Sequence, residues 1–585
     1  ALFFAMALSM TAVAGCTGIK SSTGNVVSSE TETNAEETSA QSEAGTFSSA
    51  DMFTERDLAG TYEESGAVYV TLSDDGITGE TDGVAINGQM VTITAEGTYI
   101  FSGTLSEGQI VVDADNAKVQ IVFDNVDITC ASSAAVYVKS AEKVFVTLAE
   151  GSQNTLRNTD EYVAIDDNNI DAVIFAKSDL TLNGTGSLTI ISAEGHGIVS
   201  KDDLKIIGGT YDITAAGHAL SGKDSVRIAD GTFILTAEKD GIHAENADDE
   251  EKGYIYIADG DFTITSDGDG MDASNIVQIE DGTLDITAGG GAANSLKTHE
   301  SDVPGGPGGG MPQNGEKLDG ESMPQMGEKP DGENMPQDTT TDESGTSTKG
   351  IKAGGGMYLN GGTYQIDSAD DSIHSNANIT IADGTYTLAT GDDGVHADDA
   401  LIVNGGTITV TESYEGLEGL TVTINDGTID ITASDDGINT AGEKMELNGG
   451  YIHILAGGDG VDSNGDLTIN GGEIYIDGPS DNGNSAIDYG DRSSAYVNGG
   501  TLVAIGSSGM AEVMSDSSKQ KVLMVKLGEQ MEAGNVVLTD SEGNVIVSYT
   551  ALKTYDCVII STAEVESGAT YTLTTSGTTT EVTAE

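Results

Sequence analysis

The sequence predicts an all-β protein that folds as a parallel β-helix, a solenoid whose coils have about 22 residues each. A glycine that follows an acidic residue recurs in steps of 22, 21 and 23 residues, at Gly394, Gly416, Gly437 and Gly460. A second glycine opens strands that begin with Thr, Tyr or Glu, at Gly362, Gly384, Gly406, Gly427, Gly450 and Gly472. Between these glycines, apolar and polar residues alternate by two, which is typical of strands with Val, Ile, Leu and Ala pointing inward.

The repeat divides the chain into segments. Residues 51–300 are expected to form the first part of the β-helix, with less regular first coils that cover its open end. Residues 301–349 hold near-copies of Met-Pro-Gln in a Gly- and Pro-rich stretch, which predicts a disordered insertion. The β-helix resumes over residues 350–510, and short alternating strands predict a small C-terminal β cap over residues 511–585.

The N-terminal segment indicates export from a bacterial cell. Residues 1–16 are an apolar stretch that ends in Val13-Ala14-Gly15-Cys16, which resembles a lipobox and makes Cys16 the expected lipidation site. We expect a lipoprotein signal peptide that is truncated at its N-terminus; an ordinary signal peptide with an incidental cysteine is the alternative. Residues 17–50, rich in Ser, Thr and Glu, are expected to be a disordered tether. The expected location is extracellular, on the cell surface.

The net charge excludes several partners. The chain has 96 acidic residues against 24 Lys and Arg, for a formal net charge of −72. Phosphate binding needs a basic surface, so nucleic acid is excluded as a partner, and membrane contact is expected only through the lipid anchor. Because the chain has no Trp, carbohydrate recognition would depend on Tyr, polar groups or a metal ion. We expect a monomer.

Superimposing the coils aligns acidic residues in two columns, one residue before and two residues after the acid–Gly glycine. Carboxylates of neighbouring coils then lie about 4.8 Å apart, and they repel each other unless they are protonated or bridged by a cation. Calcium fits because it accepts about six to eight oxygen ligands with flexible geometry, whereas the alternative for a single Asp-Gly is a turn without a ligand. The predicted calcium ligands are Asp371, Asp392, Asp393, Glu415, Glu418, Asp435, Asp436, Asp459 and Asp462.

Basic residues align with the coils as well. Lys297 and Lys352 are expected to share the column of His243 and His374, and a separate lysine column contains Lys177, Lys201 and Lys223. A lysine beside carboxylate-bound calcium is chemically able to abstract the proton α to a uronate carboxylate. The alternative is that these lysines pair with the surrounding acids. The histidines have no Ser or Cys partner at a fixed spacing, which disfavours triad chemistry.

Four stretches resemble a bacterial family of secreted carbohydrate-binding β-helix proteins. They are Gly197-Ile-Val-Ser-Lys-Asp-Asp-Leu-Lys-Ile, Asp371-Ser-Ile-His-Ser-Asn, Glu412-Ser-Tyr-Glu-Gly-Leu-Glu-Gly and Gly506-Ser-Ser-Gly-Met-Ala. The type member of that family comes from a cellulolytic clostridium and binds cellulose and polygalacturonate. The resemblance implies a calcium-loaded, right-handed β-helix similar to family 9 pectate lyases.

In those lyases an Asp-Asp-x-x-Asp element and an acid one coil away hold calcium, and a lysine is the base. Asp435-Asp436-Gly-Ile-Asn439 and Gly458-Asp459-Gly-Val-Asp462 each match part of this element, and no lysine can be assigned as the base. We therefore expect a surface-anchored protein that binds plant-wall polysaccharide, polygalacturonate or cellulose, with calcium, and we expect binding rather than catalysis. The alternatives are a calcium-dependent pectate lyase and a non-catalytic adhesin or stalk.

Overall fold

The computed structural model describes residues 46–79, 82–297, 347–490 and 492–584, all within one compact unit, Gly45–Glu585. The protein is nearly all β, as predicted, with 54% strand. It also has two short helices, which were not predicted. The predicted signal peptide with Cys16, residues 17–45 of the tether and residues 301–346 of the insertion lie outside the described residues.

Two helices, α1 Ser49–Met52 and α2 Glu55–Leu58, precede the strands. Thr54 begins α2 with a capping box, because its hydroxyl accepts the Asp57 N–H and the Asp57 carboxylate accepts the Thr54 N–H. Lys143 pairs with the buried Asp57 carboxylate, which attaches this helix to the strands. Among the described residues, no helix has the length and apolar content that crossing a membrane requires.

The strands before the insertion follow in chain order. Those of the N-terminal part are β1 Val68–Leu72, β2 Thr78–Gly79, β3 Val84–Asn87, β4 Met90–Ile93, β5 Gly97–Leu105, β6 Gln109–Asp113, β7 Lys118–Thr129, β8 Val136–Ser140, β9 Lys143–Leu148 and β10 Gln153–Asn158. The next are β11 Ala172–Ala176, β12 Asp179–Gly184, β13 Ser187–Ser192, β14 His196–Ser200, β15 Asp203–Ile206, β16 Thr210–Ala215, β17 Leu220–Gly222, β18 Ser225–Ile228, β19 Thr232–Ala237, β20 Ile242–Ala244, β21 Tyr254–Ile257, β22 Asp261–Ser266, β23 Met271–Ala273, β24 Val277–Ile279 and β25 Thr283–Ala288. A 3₁₀ turn, Ala292–Asn294, comes after β25.

The strands after the insertion first continue the repeat, and the last six strands lie outside it. Those of the repeat are β26 Ile351–Ala353, β27 Met357–Leu359, β28 Thr363–Ser368, β29 Ile373–Ser375, β30 Ile379–Ile381, β31 Thr385–Thr390, β32 Val395–Val403, β33 Thr407–Glu412, β34 Leu417–Ile424, β35 Thr428–Ala433, β36 Ile438–Leu447, β37 Tyr451–Ala456, β38 Val461–Ser463, β39 Asp466–Ile469, β40 Glu473–Asp477, β41 Ile487–Tyr489, β42 Ala495–Val497 and β43 Thr501–Gly506. The last six are β44 Leu523–Met531, β45 Gly534–Thr539, β46 Val545–Ala551, β47 Tyr555–Ser561, β48 Thr570–Thr575 and β49 Thr578–Thr583.

Each repeat strand pairs in parallel with the equivalent strand of the next coil, which produces three parallel sheets in a solenoid-like stack. Sheet 1 contains β13, β16, β19, β22, β25, β28, β31, β33, β35, β37, β40 and β43. Sheet 2 contains β14, β17, β20, β23, β26, β29, β38 and β41. The first halves of the long strands β32, β34 and β36 also belong to it. Sheet 3 contains β15, β18, β21, β24, β27, β30, β39 and β42, with the second halves of the same long strands.

The strand register places similar residues of successive coils directly above one another, both in the core and on the outer surface of the stack. Ile429, Ile452 and Ile474 are partners in consecutive coils of sheet 1, and all three are fully buried. The residues between them alternate outward, as in β35, where every second residue is exposed. Continuous apolar columns of this kind form one core along the whole stack, and its burial supplies the main stabilisation of the fold.

Both column positions require glycine, because a Cβ atom there would overlap the backbone of the neighbouring coil. Gly406 has a φ of 90°, and a Cβ there would lie 2.8 Å from the carbonyl oxygen of Gly384 in the preceding coil. At Gly437 a Cβ would lie 2.5 Å from the carbonyl oxygen of Gly460 and would also overlap Ile454. The period of the sequence is therefore the period at which the backbone of one coil passes close to the next.

The strands after β43 pair in antiparallel fashion. β47 pairs with both β43 and β44, so it extends sheet 1 with reversed direction. β46, β45, β48 and β49 form a separate four-stranded sheet. Its buried residues Val536, Leu538 and Leu573 share one apolar cluster with Val503 of β43 and Val558 of β47.

A Gly406→Ala substitution tests the contact between coils. We expect it to lower the free energy of unfolding by about 1–3 kcal/mol, because Ala carries the cost of a left-handed φ and also meets the Gly384 carbonyl. Gly543→Ala is the control, since Gly543 has a φ of 87° with open space around its Cβ position. Urea titration of both variants measures the difference, and equal losses would show that the contact between coils contributes nothing.

Candidate functional site

Two columns of polar residues run along the N-terminal edge of sheet 2. The corner column precedes each strand and contains His196, His218, Asp240, Asp269, Lys349, Asp371, Asp393, Glu415, Asp436 and Asp459. The strand column is aligned by the strand register and contains His243, Asp272, Lys352, His374, His396, Glu418, Asn439, Asp462 and Asp488. We call the two columns together the acidic ladder.

The corner carboxylates have a structural role. The backbone N–H of Asp393 donates to Asp371 Oδ1 at 3.1 Å, and that of Glu415 donates to Asp393 Oδ1 at 3.2 Å. The N–H of Asp459 donates to Asp436 Oδ1 at 2.6 Å in the same way. One oxygen of each carboxylate thus satisfies a backbone donor of the next coil, and the other remains for the strand column or a ligand.

Two histidines contact the carboxylate in the first segment of the ladder. Nδ1 of His218 and Nδ1 of His243 each lie 3.0 Å from Asp240 Oδ2, and the two rings stack with centroids 4.1 Å apart. Burial would raise the pKa of Asp240, but the two histidines hold it well below its usual value. Burial lowers the pKa of His218, whereas Asp240 raises that of His243 against the effect of burial.

Lysines neutralise the middle segment. Lys349 Nζ lies 2.8 Å from Asp370 Oδ1 and 2.7 Å from Asp371 Oδ2, and Lys297 pairs with Asp370 and Asp392. These lysine side chains are largely buried. Burial would lower the pKa of Lys349, but the charges of Asp371 and Asp370 raise it well above its usual value. Asp371 and Asp392, two of the predicted calcium ligands, therefore already have cationic partners.

His396 forms ion pairs with two further predicted ligands, Asp393 and Glu418. Its Nδ1 lies 3.0 Å from Asp393 Oδ2 and 2.8 Å from Glu418 Oε2. The hydrogen bonds to these carboxylates raise the pKa of His396 well above its usual value, although burial opposes the shift. Glu415 accepts a hydrogen bond from Asn439 Nδ2 at 2.9 Å, and burial, followed by the charge of Asp393, raises its pKa well above the usual value.

The last segment contains carboxylates without a cation. Among the described residues, no Lys, Arg or His lies within ion-pair distance of Asp435, Asp436, Asp459 or Asp462. Burial and the charges of Asp435 and Asp459 raise the pKa of Asp436 to about 8. Burial and neighbouring carboxylates likewise raise the pKa of Asp459 to about 7 and that of Asp462 to about 6. Negative charge is therefore unfavourable here unless protons or a metal ion balance it.

The oxygens of this segment converge. One oxygen each from Asp436, Asp459 and Asp462 lies within 4.8 Å of the others. A Cβ at Gly458 would overlap Oδ1 of both Asp435 and Asp436, so these two oxygens meet over a position that must lack a side chain. Oδ1 of Asn439 is buried and has no hydrogen-bond partner among the described residues. An all-oxygen set with an unpartnered amide oxygen fits a hard divalent cation such as calcium.

The structure separates the nine predicted ligands into four groups. Asp371 and Asp392 contact lysines, Asp393 and Glu418 contact His396, and Glu415 accepts from Asn439. The fourth group is Asp435, Asp436, Asp459 and Asp462, which has no cationic partner among the described residues.

The pairing of lysines with the surrounding acids was one of the two sequence-based interpretations, and Lys352 lies in the predicted column. Lys297 does not lie in that column; it pairs with Asp370 and Asp392. Lys349, His196, His218 and Asp488 were not predicted as members of the ladder. His218 lies 22 residues before Asp240, so extending the period upstream would have found it. Asp488 gives no such signal, because Ala486 stands where the acid–Gly glycine is expected.

The separate lysine column lies two residues beyond the strand column. The backbone N–H groups of Lys201 and Lys223 donate to the preceding coils, which confirms their alignment. Lys223 pairs with Asp248 at 2.7 Å, and Lys201 lies 5.4 Å above the ring of Phe175. These lysines are engaged away from the cluster of Asp436, Asp459 and Asp462.

Stacked parallel strands with a ladder of mostly acidic residues along one edge define a solenoid-like β protein with an oxygen-rich edge. The sequence profile of the family described as carbohydrate-binding domain-containing protein matches residues 87–394 and 392–542, and the chain belongs to this family. The predicted resemblance to a carbohydrate-binding family is thereby confirmed, whereas the likeness to family 9 pectate lyases stays a prediction.

Two known proteins are similar to this chain. A carbohydrate-binding domain-containing protein of Acetivibrio thermocellus is 41% identical over 135 residues, which are 23% of this chain and 47% of the relative. The chain thus spans about half the length of that relative. A solved structure of the polysaccharide lyase-like protein from C. thermocellum, a gadolinium derivative, is 36% identical, covers 38% of this chain and 92% of its own, and has a TM-score of 0.37.

A Lys349→Met substitution tests the lysine segment. We expect it to lower the free energy of unfolding by about 3 kcal/mol, because it leaves the buried Asp371 with a weaker set of cationic partners. Lys444→Met is the control, since Lys444 pairs with Glu446 at an exposed position and should cost less than about 1 kcal/mol. Chemical denaturation compares the two, and equal effects would contradict a buried ion-pair role.

Proposed function

We propose that this protein binds an acidic plant-wall polysaccharide, with polygalacturonate as the expected ligand, through calcium held at the last segment of the acidic ladder. The observation that carries the proposal is the cluster of Asp435, Asp436, Asp459 and Asp462, whose oxygens converge without a cationic side chain among the described residues. Membership of the carbohydrate-binding family supports a glycan as the ligand.

Charge explains why calcium and an acidic glycan belong together. A chain with a net charge of −72 repels a polyuronate, and bare carboxylates at the ladder would add to that repulsion. A calcium ion coordinated by the cluster reverses the sign locally, and its remaining coordination positions accept carboxylate and hydroxyl oxygens of the sugar. Neighbouring coils repeat at about 4.8 Å, so an extended chain along the stack meets the ladder at several points.

The lysines near the ladder favour binding over elimination. A lysine base must lose its proton before it attacks a substrate, yet nearby carboxylates raise the pKa of Lys297, Lys349 and Lys352 against the effect of burial. Each of these ammonium groups also contacts carboxylates. A calcium-dependent pectate lyase therefore remains the second candidate, and a stalk in which calcium only stiffens the stack is the third.

The remaining parts of the proposal rest on sequence. The motif ending at Cys16 supports a lipid-anchored protein on the outside of a bacterial cell, with the 17–50 segment as a tether. The resemblance to calcium-loaded β-helices supports a right-handed coil. We propose that the protein acts as a monomer.

Polygalacturonate retention separates the three candidates. The full chain is applied to immobilised polygalacturonate with calcium or with a chelator, and the soluble fraction is assayed for unsaturated uronide. We expect retention with calcium, loss of retention with the chelator and no unsaturated product. Unsaturated product would identify a lyase, and absence of retention in both conditions would leave only the stalk.

The double variant Asp436→Asn/Asp459→Asn tests the proposed ligands. We expect its calcium affinity to fall by about tenfold or more, because two ligand charges are removed, and polygalacturonate retention should fall with it. Asp212→Asn, at an exposed position of sheet 1, is the control. Calorimetric titration with calcium measures both variants; an unchanged affinity in the double variant would place the ion elsewhere.

Calcium binding should depend on pH through the same carboxyls. Their folded-state pKa values, about 8 for Asp436 and about 7 for Asp459, lie above the unfolded value, so without metal the folded state binds protons more tightly and loses stability as the pH rises through them. Calcium competes with these protons, so its affinity should rise over the same range. Melting temperatures between about pH 5 and pH 9, with and without calcium, test this, and a metal-free melting temperature independent of pH would contradict it.

A further inference from the structure

The first described residues of the chain cross the stack instead of forming a coil. Residues 46–58, which we call the strap, lie on the outer surface of sheet 3 and of the strands that continue this sheet toward the first coils. The strands below the strap pair in the order β7, β9, β12, β15, β18, β21 and β24. The strap runs from β24 back to β7, against the direction of the coils, and spans six strand spacings, about 29 Å.

The N-terminal end of the strap is held by one glutamine and one tyrosine. The backbone N–H of Phe47 donates to Gln278 Oε1 at 2.6 Å, and Gln278 Nε2 donates to the Phe47 carbonyl oxygen at 2.9 Å. The centroid of the Phe47 ring lies 4.4 Å from that of the Tyr254 ring. Both hydrogen bonds join neutral groups, which gain little over the bonds that the same groups make with water.

The middle of the strap is apolar. Met52 is buried against Tyr254 and Tyr256, and the centroid of the Phe53 ring lies 6.2 Å from that of the Tyr256 ring. Arg227 Nη1 donates to the Met52 carbonyl oxygen at 3.3 Å. The apolar area that these side chains remove from water stabilises the docked strap.

The C-terminal end of the strap is held by a buried ion pair. Asp57 is fully buried, and its carboxylate lies 2.5 Å from Lys143 Nζ and accepts the Thr181 hydroxyl at 2.9 Å. Next to it, the guanidinium of Arg56 lies 4.9 Å from the centroid of the Phe145 ring. Separating a buried ion pair is strongly unfavourable, so this end resists opening more than the neutral contact at Phe47 does.

The strap is therefore weakest where a pull from the N-terminal side of the chain acts first. The C-terminal strands adjoin β43, at the end of the stack that lies away from β7. A pull between the two ends of the chain draws Phe47 toward β7, back over the strap itself, so the contacts open one after another. We propose that the strap is a force-sensitive latch, which releases under load while the coils remain folded. The inference rests on the proposed surface anchoring through the N-terminal segment.

Release changes the point at which the load enters the fold. With the strap docked, the chain is attached beside β24, partway along the stack. After release it is attached at the first coils, where residues 47–60 add about 50 Å of extended chain and about 29 Å more of the stack lies between the attachment points. A cell held by a glycan at the acidic ladder thus gains slack before the load reaches the strands that form the ladder.

Single-molecule pulling tests the latch on the full chain, with one handle at each end and without lipid or glycan. We expect one reversible lengthening step of about 80 Å, at a force below the one that unfolds the coils. The double variant Phe47→Ala/Gln278→Ala should shorten this step by about 17 Å, because the docked strap then begins at Met52. Lys143→Met should keep the length of the step and lower its force.

Leu58→Ala is the matched control, since Leu58 belongs to the strap but has 54% of its surface exposed, and it should change neither the length nor the force. Thermal melting followed by circular dichroism checks that the coils of each variant are folded. Absence of a step before the coils unfold, or a step of the same length in the double variant, would overturn the latch. Failure of the surface anchoring or of polygalacturonate retention would not alter these measurements, so the two proposals fail separately.

Discussion

Parallel hydrogen bonding between successive coils is the interaction on which the rest of the structure depends. It repeats the backbone at one spacing and places each side chain directly above its equivalent in the next coil, as with Ile429, Ile452 and Ile474. Inside the stack this arrangement is favourable, because branched apolar residues fill continuous columns. The same rule acts outside the stack, where it brings like charges together.

The acidic ladder shows three ways in which the fold accommodates that repulsion. His243 pairs with Asp240, buried lysines pair with Asp370, Asp371 and Asp392, and His396 is shared by two carboxylates. Asp435, Asp436, Asp459 and Asp462 have none of these cationic partners among the described residues. The raised pKa values of Asp436 and Asp459 express the unbalanced charge, which protons or a divalent cation would neutralise.

The sequence by itself determined the all-β repeat, the two glycine columns and the alignment of the acids. It could do so because a steric requirement, such as the approach of Gly406 to the Gly384 carbonyl, recurs once per coil and leaves a period in the chain. The sequence did not show which acidic side chains pair with a Lys or His, because that pairing depends on the three-dimensional fold. Lys297 reaches Asp392 across 95 positions of sequence and an insertion that interrupts the count, and Tyr549 reaches Tyr475 from a sheet outside the repeat. Such contacts depend on where the chain returns in space, and no periodic pattern records that.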